Sequence, residues 1–451
     1  MTHEENKKTA ITLAKLVSEK GGRCFYVGGY VRDRLMKKEN KDIDIEVHGV
    51  SPGTLKDILK NLGETILIGE SFGIYSLKGC DIDIAMPRKE TVTGKGHRDF
   101  DISVDPFIGY ENAARRRDFT VNALMEDILT GEILDFFGGK NDLEKGVLRH
   151  VDEKSFPEDP LRVLRAAQFA SRFNFKISED TITLCRKIDI TTLSKERVEG
   201  EMKKALLKAE RPSMFFEALR EMNALSFWFK EAESLIGTEQ RHEFHLEGDV
   251  WNHTMMVLDE AAKKRSEADN PYGFMLSALC HDFGKPVSSE TINGIIRSFD
   301  HETAGLPLIS EFLHRITNEK KLIKYVLNMC ELHMKPNILA SQNSSVKATN
   351  KLFDKAESPF DLILLATADD KGRRCLYPHE GSKEFLSERL NIFNEYMSRP
   401  FVTGKDLIEA GIKPGENFSD ILAYAHKLRL SGIEKEKALR QCLAYYKDKY
   451  C

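Results

Sequence analysis

Two pairs of aspartates in the N-terminal part of this chain have the spacing of a metal site. Asp42 and Asp44 are separated by one isoleucine, and so are Asp81 and Asp83. Residues i and i+2 of a β-strand point to one face, so each pair presents two carboxylates together. Carboxylate oxygens suit Mg²⁺, which in nucleotidyl transfer aligns the attacking hydroxyl and neutralises the leaving pyrophosphate. The spacing favours such a site, although an isolated Asp-x-Asp is more often an exposed edge strand.

A pair of glycines strengthens this interpretation. Gly28 and Gly29 follow the apolar run Arg23–Val27 and precede a stretch of helical periodicity. Glycines between a strand and a helix let backbone amides approach a polyphosphate closely, although most such pairs serve only as turns. Together with the two acidic pairs, the turn predicts a nucleotide site.

The elements that must position these residues change character along the chain. Between about Gly22 and Asp135 short apolar runs alternate with helical stretches, which predicts an α/β domain with a mixed sheet. After Pro157 amphipathic helical repeats predominate, so the remainder is expected to be mainly helical. The predicted elements are strands at Arg23–Val27 and Asp42–Val47, a helix at Pro52–Leu62, and a strand pair at Ile74–Leu77 and Asp81–Ala85.

Length and composition exclude several classes of protein. The 451 residues correspond to two to four domains, and 41% hydrophobic with 31% charged residues is typical of a soluble folded protein. No apolar run approaches the roughly 20 residues that span a bilayer, and the N-terminus lacks a signal-peptide core, so we expect a cytoplasmic protein. The eight cysteines are scattered singly, which favours reduced thiols. A net charge of −4 excludes wholesale coating of nucleic acid, so any RNA site must be a local patch.

The motifs resemble those of the class II nucleotidyltransferases of the polymerase-beta-like superfamily, which are the bacterial CCA-adding enzymes and poly(A) polymerases. GGYVRD at 28–33, followed by DID at 42–44, looks like the signature of that family. The resemblance implies that Asp42 and Asp44 hold the catalytic Mg²⁺ and that Asp83 is the third carboxylate. Arg88 and Glu90 fit the same stretch.

Later motifs of the head region continue the resemblance. RRDFTVNAL at 116–124 looks like the family motif whose arginines and Asp-Asn pair contact the triphosphate and sugar, and guanidinium groups match phosphate oxygens. Asp135, with Gly138 and Gly139, resembles the next motif. The nucleotide-binding residues that the resemblance implies are Gly28, Gly29, Arg32, Arg116, Arg117, Asp118, Asn122, Asp159, Arg162 and Arg165.

Asp159 and Arg162 match the EDxxR motif. Residues i and i+3 of a helix share a face, so a carboxylate and a guanidinium there can hydrogen-bond the edge of a base. The resemblance implies that this pair selects CTP and ATP, whereas an ordinary salt bridge at a helix start is the alternative. The stretch 91–114, with three glycines, is predicted to be a mobile loop beside the site. The resemblance implies that a flexible loop at this place favours CCA addition over poly(A) synthesis.

A second constellation lies in the helical half. His253, the adjacent His281 and Asp282, and Asp369 resemble the H…HD…D pattern of HD-domain phosphohydrolases. Such mixed nitrogen and oxygen ligands suit a transition-type divalent metal such as Ni²⁺, Mn²⁺ or Co²⁺, which can activate water. His301 and His333 are candidates for accessory ligands or phosphate contacts, although a surface or core histidine is the more frequent case.

The sequence therefore predicts an α/β nucleotidyltransferase head followed by all-α neck, HD and tail domains, with boundaries at 1–150, 151–235, 236–395 and 396–451. Residues 401–415 resemble the family's tRNA-binding tail. The expected function is addition of CCA to the 3′ end of tRNA from CTP and ATP, with a possible accessory phosphatase or phosphodiesterase activity. The alternatives are a poly(A) polymerase, a CC-adding or A-adding enzyme, and an HD phosphohydrolase whose head only binds nucleotide or RNA. No membrane partner is expected, and the pattern indicates no oligomeric state.

Overall fold

The computed structural model describes residues 2–40, 42–68, 74–92, 100–376 and 382–450. The chain divides into two compact units, Met1–Ser194 with Glu217–Ala224 and Lys195–Phe216 with Leu225–Cys451. The first unit is α/β and the second is almost entirely helical, which confirms the predicted fold class. None of the described helices is both long and apolar enough to cross a membrane.

The regular elements are numbered in chain order. Up to residue 194 they are α1 (His3–Ser18), β1 (Arg23–Val27), α2 (Gly29–Leu35), β2 (Ile43–His48), α3 (Pro52–Leu62), β3 (Thr65–Ile68), β4 (Ile74–Leu77), β5 (Ile82–Ala85), β6 (Arg88–Val92), β7 (Phe100–Val104), α4 (Tyr110–Arg115), β8 (Met125–Asp127), β9 (Ile133–Leu134), α5 (Gly139–Lys145), β10 (Val147–Leu148), α6 (Leu161–Phe173), β11 (Lys176–Ile177) and α7 (Glu179–Cys185). From residue 195 they are α8 (Lys195–Lys208), α9 (Ser213–Glu221), α10 (Lys230–Glu233), α11 (Val250–Ala262), α12 (Pro271–Cys280), α13 (Lys285–Ser288), β12 (Ser289–Ile292), β13 (Ile295–Ser298), α14 (His301–Ala304), α15 (Leu306–Ile316), α16 (Lys320–Leu332), α17 (Met334–Ser341), α18 (Val346–Lys355), α19 (Pro359–Lys371), α20 (Ser382–Ser398), α21 (Gly404–Glu409), α22 (Phe418–Leu430) and α23 (Lys435–Tyr450).

The α/β unit is built on a mixed sheet of seven described strands in the order β3-β4-β5-β2-β1-β8-β9. Strand β2 pairs in parallel with β5 and antiparallel with β1. Alternate residues of β2, Ile43, Ile45 and Val47, are buried in the apolar core that also contains residues of α1 and α3. Because side chains alternate along a strand, the opposite face of β2 carries Asp44 and Glu46.

The sequence predicted several of these elements closely. The strand Arg23–Val27 and the helix Pro52–Leu62 have the predicted bounds, and β4 pairs with β5 as expected. Strand β2 begins one residue later than predicted, so that Asp42 lies just before it.

The prediction that 91–114 is a loop is wrong for residues 91–92, 100–104 and 110–114, which lie in strands and a helix, while the predicted mobility stays a prediction. Strands β6 and β7 pair antiparallel, from Arg88 opposite Val104 to Val92 opposite Phe100, and α4 follows. Residues 93–99 of that stretch lie outside the described residues. The three glycines of this stretch fall within 93–109 and indicated a loop. The strand-like alternation of FDISV at 100–104 was therefore overlooked.

The described part of the helical unit contains a short antiparallel hairpin, β12 with β13, that the sequence did not predict. Helix α12 contacts α11, α16 and α19, and the side chains of Trp251, Phe283 and Phe312 are fully buried. Helices α21 to α23 share a small apolar core of their own that includes Leu407, Ile421 and Ala438. The second constellation of the sequence is carried by other helices of this unit: His253 lies on α11, His281 and Asp282 directly follow α12, and Asp369 lies on α19.

Candidate active sites

Asp44 and Asp83 lie opposite one another on the parallel strands β2 and β5. The pKa of the Asp44 carboxyl group is raised overall. Burial is the largest cause, and the negative charges of Asp83 and Asp42 act in the same direction, whereas the positive charge of Arg117 opposes them. Within the described residues no lysine or arginine forms a salt bridge with any of these three carboxylates. Neighbouring carboxylates that form no direct salt bridge are suited to bind a divalent cation through oxygen.

A cavity of about 380 Å³ opens beside this acidic pair. Its walls include Asp44, Asp83, Arg116, Arg117 and Arg162. The volume is in the range of small-molecule sites. Carboxylates and guanidinium groups in one cavity are complementary to a cation together with a polyphosphate, because each group attracts the opposite charge.

Glu46 is a site residue that the sequence analysis missed. Its carboxylate is buried and binds Arg117 Nη2 at 3.0 Å through Oε2, while Oε1 lies 2.8 Å from His48 Nε2. Burial raises the pKa of Glu46, but the hydrogen bond from His48 and the charge of Arg117 outweigh it, so the pKa is lowered overall. Glu46 therefore fixes one arginine of the cavity wall. The signal was present, because Glu46 continues the i, i+2 row that begins at Asp42 and Asp44.

The structure brings Asp159 and Arg162 to the same cavity, but not in the predicted way. Asp159 has extended backbone (φ −119°) and precedes α6, and its Oδ1 accepts a hydrogen bond from Leu161 N at 3.1 Å. The expectation that both residues share one helix face is wrong, because Pro160 disfavours helical backbone at the residue before it. Arg162 donates to the carbonyl oxygens of Ser155 (2.7 Å) and Arg116 (2.9 Å).

Four of the predicted nucleotide-binding residues form a buried polar network outside the lining of this cavity. Arg165 Nε donates to Asp118 Oδ2 at 2.7 Å, and Asp118 Oδ1 accepts from Asn122 Nδ2 at 2.9 Å. Asn122 Oδ1 in turn accepts from Arg32 Nη1 at 2.6 Å, and the Arg32 guanidinium stacks on Phe173, 4.4 Å from the ring centre. The network ties α2 to α6, so these side chains hold the elements that flank the cavity.

The glycine turn lies where the sequence analysis predicted, between β1 and α2. Gly28 has a positive φ of 64°, which L side chains rarely adopt. A Cβ at Gly28 would lie 3.4 Å from Arg117 Nη1 and 3.7 Å from Asp44 Oδ2. The turn therefore places bare backbone beside an acidic and a basic side chain of the site, while Gly29 adjoins Arg32.

The motif around Asp135 braces the same region. Asp135 Oδ1 and Oδ2 accept the backbone N–H groups of Gly139 (2.7 Å) and Lys140 (3.0 Å) at the start of α5. A Cβ on Gly139 would lie 2.2 Å from the carbonyl oxygen of Thr120. Thr120 begins the short 3-10 turn that carries Asn122, so glycine at 139 permits a direct backbone contact with that turn.

In the helical unit, the four predicted HD-type residues converge. His253 Nε2 lies 3.1 Å from Asp369 Oδ1 and 3.4 Å from His281 Nε2, and His281 Nε2 lies 3.2 Å from Asp282 Oδ2. All four side chains are buried. Burial raises the pKa of Asp282, but the charges of His281 and Lys285 outweigh it and hold the pKa well below its usual range. Buried histidines and carboxylates at such distances fit a divalent metal.

His301 and His333 join this cluster, so the surface interpretation of them is wrong. His301 Nε2 lies 3.3 Å from Asp282 Oδ1 and 3.3 Å from His333 Nε2, and both rings are buried. A pocket of about 160 Å³ opens at the cluster, with Lys285, Arg241 and Arg373 in its lining. Cationic side chains at its wall are suited to an anionic substrate.

Known proteins resemble this chain over most of its length. The family of poly(A) polymerase head domains matches residues 24–149. The multifunctional CCA protein of Haemophilus ducreyi is 32% identical over 371 residues, which cover 79% of this chain and 88% of that protein. The corresponding protein of Pasteurella multocida is 32% identical over 409 residues, covering 87% and 92%.

Solved structures show the same fold. The Bacillus stearothermophilus CCA-adding enzyme in complex with CTP has a TM-score of 0.67 at 20% identity, covering 99% of each chain. The Thermotoga maritima CCA-adding enzyme complexed with tRNA has a TM-score of 0.63 at 21% identity, covering 96% of this chain and 93% of that one.

Proposed function

This chain belongs to the family of bacterial CCA-adding enzymes and is a tRNA nucleotidyltransferase, and we propose that the cavity beside Asp44 and Asp83 is where it adds nucleotides. It adds CCA to the 3′ end of tRNA from CTP and ATP, with release of pyrophosphate. The observation that carries the assignment of the site is the acidic pair across β2 and β5, which shares one cavity with Arg116 and Arg117.

The chemistry requires a bond between the tRNA 3′-oxygen and the α-phosphorus, while the bond from that phosphorus to pyrophosphate breaks. Enzymes of this family use a divalent metal, and we propose Mg²⁺ held by Asp42, Asp44 and Asp83. When bound, the ion supplies charge neutralisation and alignment of the reacting oxygens. Arg117, held by Glu46, and Arg116 are placed to bind phosphate oxygens.

Base selection is proposed for Asp159 and Arg162. Both line the cavity, one as a hydrogen-bond acceptor and the other as a donor. Arg162 is oriented by two backbone carbonyl oxygens, which limits the directions of its remaining N–H groups. An oriented donor beside an acceptor can read the edge of a base without a nucleic-acid template.

The boundaries at 150, 235 and 395 remain proposals, with 1–150 as the head, 151–235 as the neck, 236–395 as the HD domain and 396–451 as the tRNA-binding tail. The small core shared by α21 to α23 supports a separate tail. Action in the cytoplasm likewise stays a prediction.

Primer extension on tRNA that lacks CCA tests the reaction. With CTP plus ATP we expect addition of three nucleotides, C, C and A, while CTP alone stops after two and GTP or UTP add none. Long A tracts on unrelated RNA would indicate a poly(A) polymerase. Addition that stops at CC, or begins only on tRNA ending in CC, would indicate a partial enzyme.

The buried histidine–aspartate cluster favours a second candidate activity, hydrolysis of phosphate esters. We propose that His253, His281, Asp282 and Asp369 bind a transition-type metal such as Ni²⁺, Mn²⁺ or Co²⁺. Hydrolysis of p-nitrophenyl phosphate or of a cyclic nucleotide, measured after a chelator and again after each metal, tests it. Phosphate ester cleavage without any primer extension would instead support an HD phosphohydrolase with a nucleotide-binding head.

A further inference from the structure

Another cavity of the helical unit has, among the described residues, no lining residue in common with the pocket at the histidine–aspartate cluster. Its volume is about 630 Å³, and helices α17, α18 and α22 form its walls. All three helices belong to one compact unit, and α18 packs against both of the others. The volume is in the range of small-molecule sites. The residues of its lining therefore indicate what kind of molecule it accepts.

The uncharged part of this lining is aliphatic. Leu352 of α18 and Leu430 of α22 are 5% and 4% exposed, whereas Ile338 of α17 is 44% exposed. The remaining apolar residues of the described lining are Leu339, Ala348 and Ala423. The cavity thus contains apolar surface that water reaches, and covering such surface is favourable. The apolar part of a ligand is suited to lie against the two leucines.

Four lysines line the same cavity, and each of the three helices contributes at least one of them. All four residues are exposed, and in the part of the chain that the structure describes none of them takes part in a salt bridge. The acidic residue of the described lining, Asp354, accepts a hydrogen bond from His426 Nε2 at 2.7 Å. Positive charge therefore predominates at the rim of the cavity and favours an anion. The lysines are Lys335, Lys351, Lys355 and Lys427.

The lining is poorly suited to a nucleotide or to RNA. Its described residues include no phenylalanine, tyrosine or tryptophan on which a base would stack. They also include no side-chain amide or hydroxyl group that would read the edge of a base. A ligand made only of phosphates would leave the aliphatic surface uncovered. A hydrocarbon chain with one anionic group uses both parts of the lining, because lysine stems pack on apolar surface while their ammonium groups stay in water.

We propose that this cavity binds a single-chain amphiphilic anion of the fatty-acid class. The hydrocarbon chain lies against Leu352 and Leu430, and the carboxylate lies at the lysines of the rim. Because both leucines are almost fully buried between helices, the occupant is a free molecule that enters the cavity rather than the flat surface of a bilayer. Binding makes and breaks no covalent bond. The proposal goes beyond the two phosphate chemistries proposed above and depends on neither.

Isothermal titration calorimetry of the full-length chain with dodecanoate, below the concentration at which it forms micelles, tests the proposal. We expect saturable binding with one site per chain. Dodecylammonium has the same hydrocarbon chain and the opposite charge, so it should not bind measurably. Added salt should weaken the binding of dodecanoate, because salt screens exposed charges.

Two variants separate the role of charge from that of the apolar surface. Lys351→Gln combined with Lys355→Gln should raise the Kd for dodecanoate about fivefold, the effect of losing two exposed ion pairs of moderate strength. Ala423→Phe should abolish binding, because the ring fills space in the cavity. Ala423 is an exposed residue, so the helix tolerates the larger side chain.

Lys320→Gln combined with Lys321→Gln is the matched control. These two exposed lysines lie on α16, outside the described lining, and their replacement removes the same charge. The Kd for dodecanoate should not change. Circular dichroism establishes that each variant is folded.

Three results would overturn the proposal. The first is equal affinity for dodecanoate and dodecylammonium, and the second is a Kd for dodecanoate that neither Ala423→Phe nor the double substitution on α18 alters in a folded chain. The third is a chain that does not bind dodecanoate but binds tRNA or vesicles of phosphatidylglycerol through Lys351 and Lys355. That result would assign the lysines to an RNA or a membrane surface.

Discussion

At the scale of residues, Asp44 and Glu46 lie on the same face of one strand but are suited to different roles. Both side chains point to the same side of β2, two positions apart. Asp44 has no salt bridge among the described residues, whereas Glu46 is paired with Arg117 and His48. The unpaired acid is suited to bind a cation, and the paired acid is suited to position an arginine. Glu46 is therefore a positioning residue.

Replacing Glu46 by glutamine tests that role. The change keeps the size of the side chain but removes the negative charge, so that the hydrogen bond from Arg117 is weakened; hydrogen bonds between charged groups contribute about 1.5–3 kcal/mol. We expect the KM for CTP and ATP to rise about tenfold or more, since 1.4 kcal/mol corresponds to a factor of ten. The kcat should fall less, because the carboxylates of Asp44 and Asp83 are unchanged. Steady-state primer extension measures both constants.

Glu132→Gln is the control for charge removal, because Glu132 forms an exposed salt bridge with Arg23 at 3.2 Å. Its kinetic constants should not change, and its stability should change by no more than about 0.5 kcal/mol. A Glu46→Gln variant with an unaltered KM would contradict the positioning role.

Residue spacing indicated the acidic pair, and the resemblance to known motifs indicated the arginines of the cavity and the four HD-type residues that converge in the structure. They were insufficient for Asp159, because the start of a helix after Pro160 depends on local backbone rather than on an i, i+3 pattern. They were insufficient also for His301 and His333, whose neighbours in space come from distant parts of the chain. A single histidine in a sequence does not indicate which residues will surround it in the folded protein.

At the scale of elements, several of the close contacts between strands, turns and helices are made by backbone atoms. The pattern of side chains in a sequence does not indicate such contacts. Strand β7 and helix α4 were missed because glycines nearby indicated a loop. The parallel pairing of β2 with β5 was likewise not predictable from alternation alone. Gly139, by contrast, belongs to a motif that is visible in the sequence. The structure adds the reason for the glycine, which is the close backbone contact with Thr120.

Gly139→Ala tests that contact. The added Cβ would lie 2.2 Å from a backbone oxygen, which cannot rotate away as a flexible side chain would. Overpacking of this kind typically costs about 1–3 kcal/mol. We expect a lower midpoint of urea unfolding for the α/β unit and weaker nucleotide addition, because the adjacent turn carries Asn122.

Gly200→Ala is the opposite case. Gly200 lies inside α8 and lacks a positive φ, and a Cβ added there would meet no described atom within 4 Å. Alanine there should stabilise the helix by about 0.5–1 kcal/mol. Equal effects of the two substitutions would show that the Gly139 contact is unimportant.

At the scale of the whole molecule, the two sites belong to different compact units. Asp44 lies in the unit formed by Met1–Ser194 with Glu217–Ala224, and His253 lies in the other. The order of motifs in the sequence was sufficient to predict two separate groups of polar side chains, and the chemistry of the second group stays a prediction. It was insufficient to predict that residues 217–224 are grouped with the first unit, because that depends on packing.

Single substitutions should therefore separate the two activities. Asp44→Ala should reduce CCA addition by about 10³-fold or more, since metal-assisted charge neutralisation contributes several kcal/mol, and leave metal-dependent phosphate ester hydrolysis intact. His253→Ala should have the reverse effect. Primer extension and phosphatase assays on the same preparations measure both, and loss of both activities in a folded single variant would contradict the separation.

The parallel pairing of β2 and β5 has a consequence for how this molecule folds. Asp44 and Asp83 are remote in the chain and of like charge, yet they become neighbours once helix α3 and the β3–β4 hairpin have formed the crossover between their strands. Closure of such a non-local contact is slow, and here it also works against electrostatic repulsion. We therefore expect the nascent enzyme to acquire its reactive centre at a late step of folding, when the surrounding apolar core is already able to hold the two acids together.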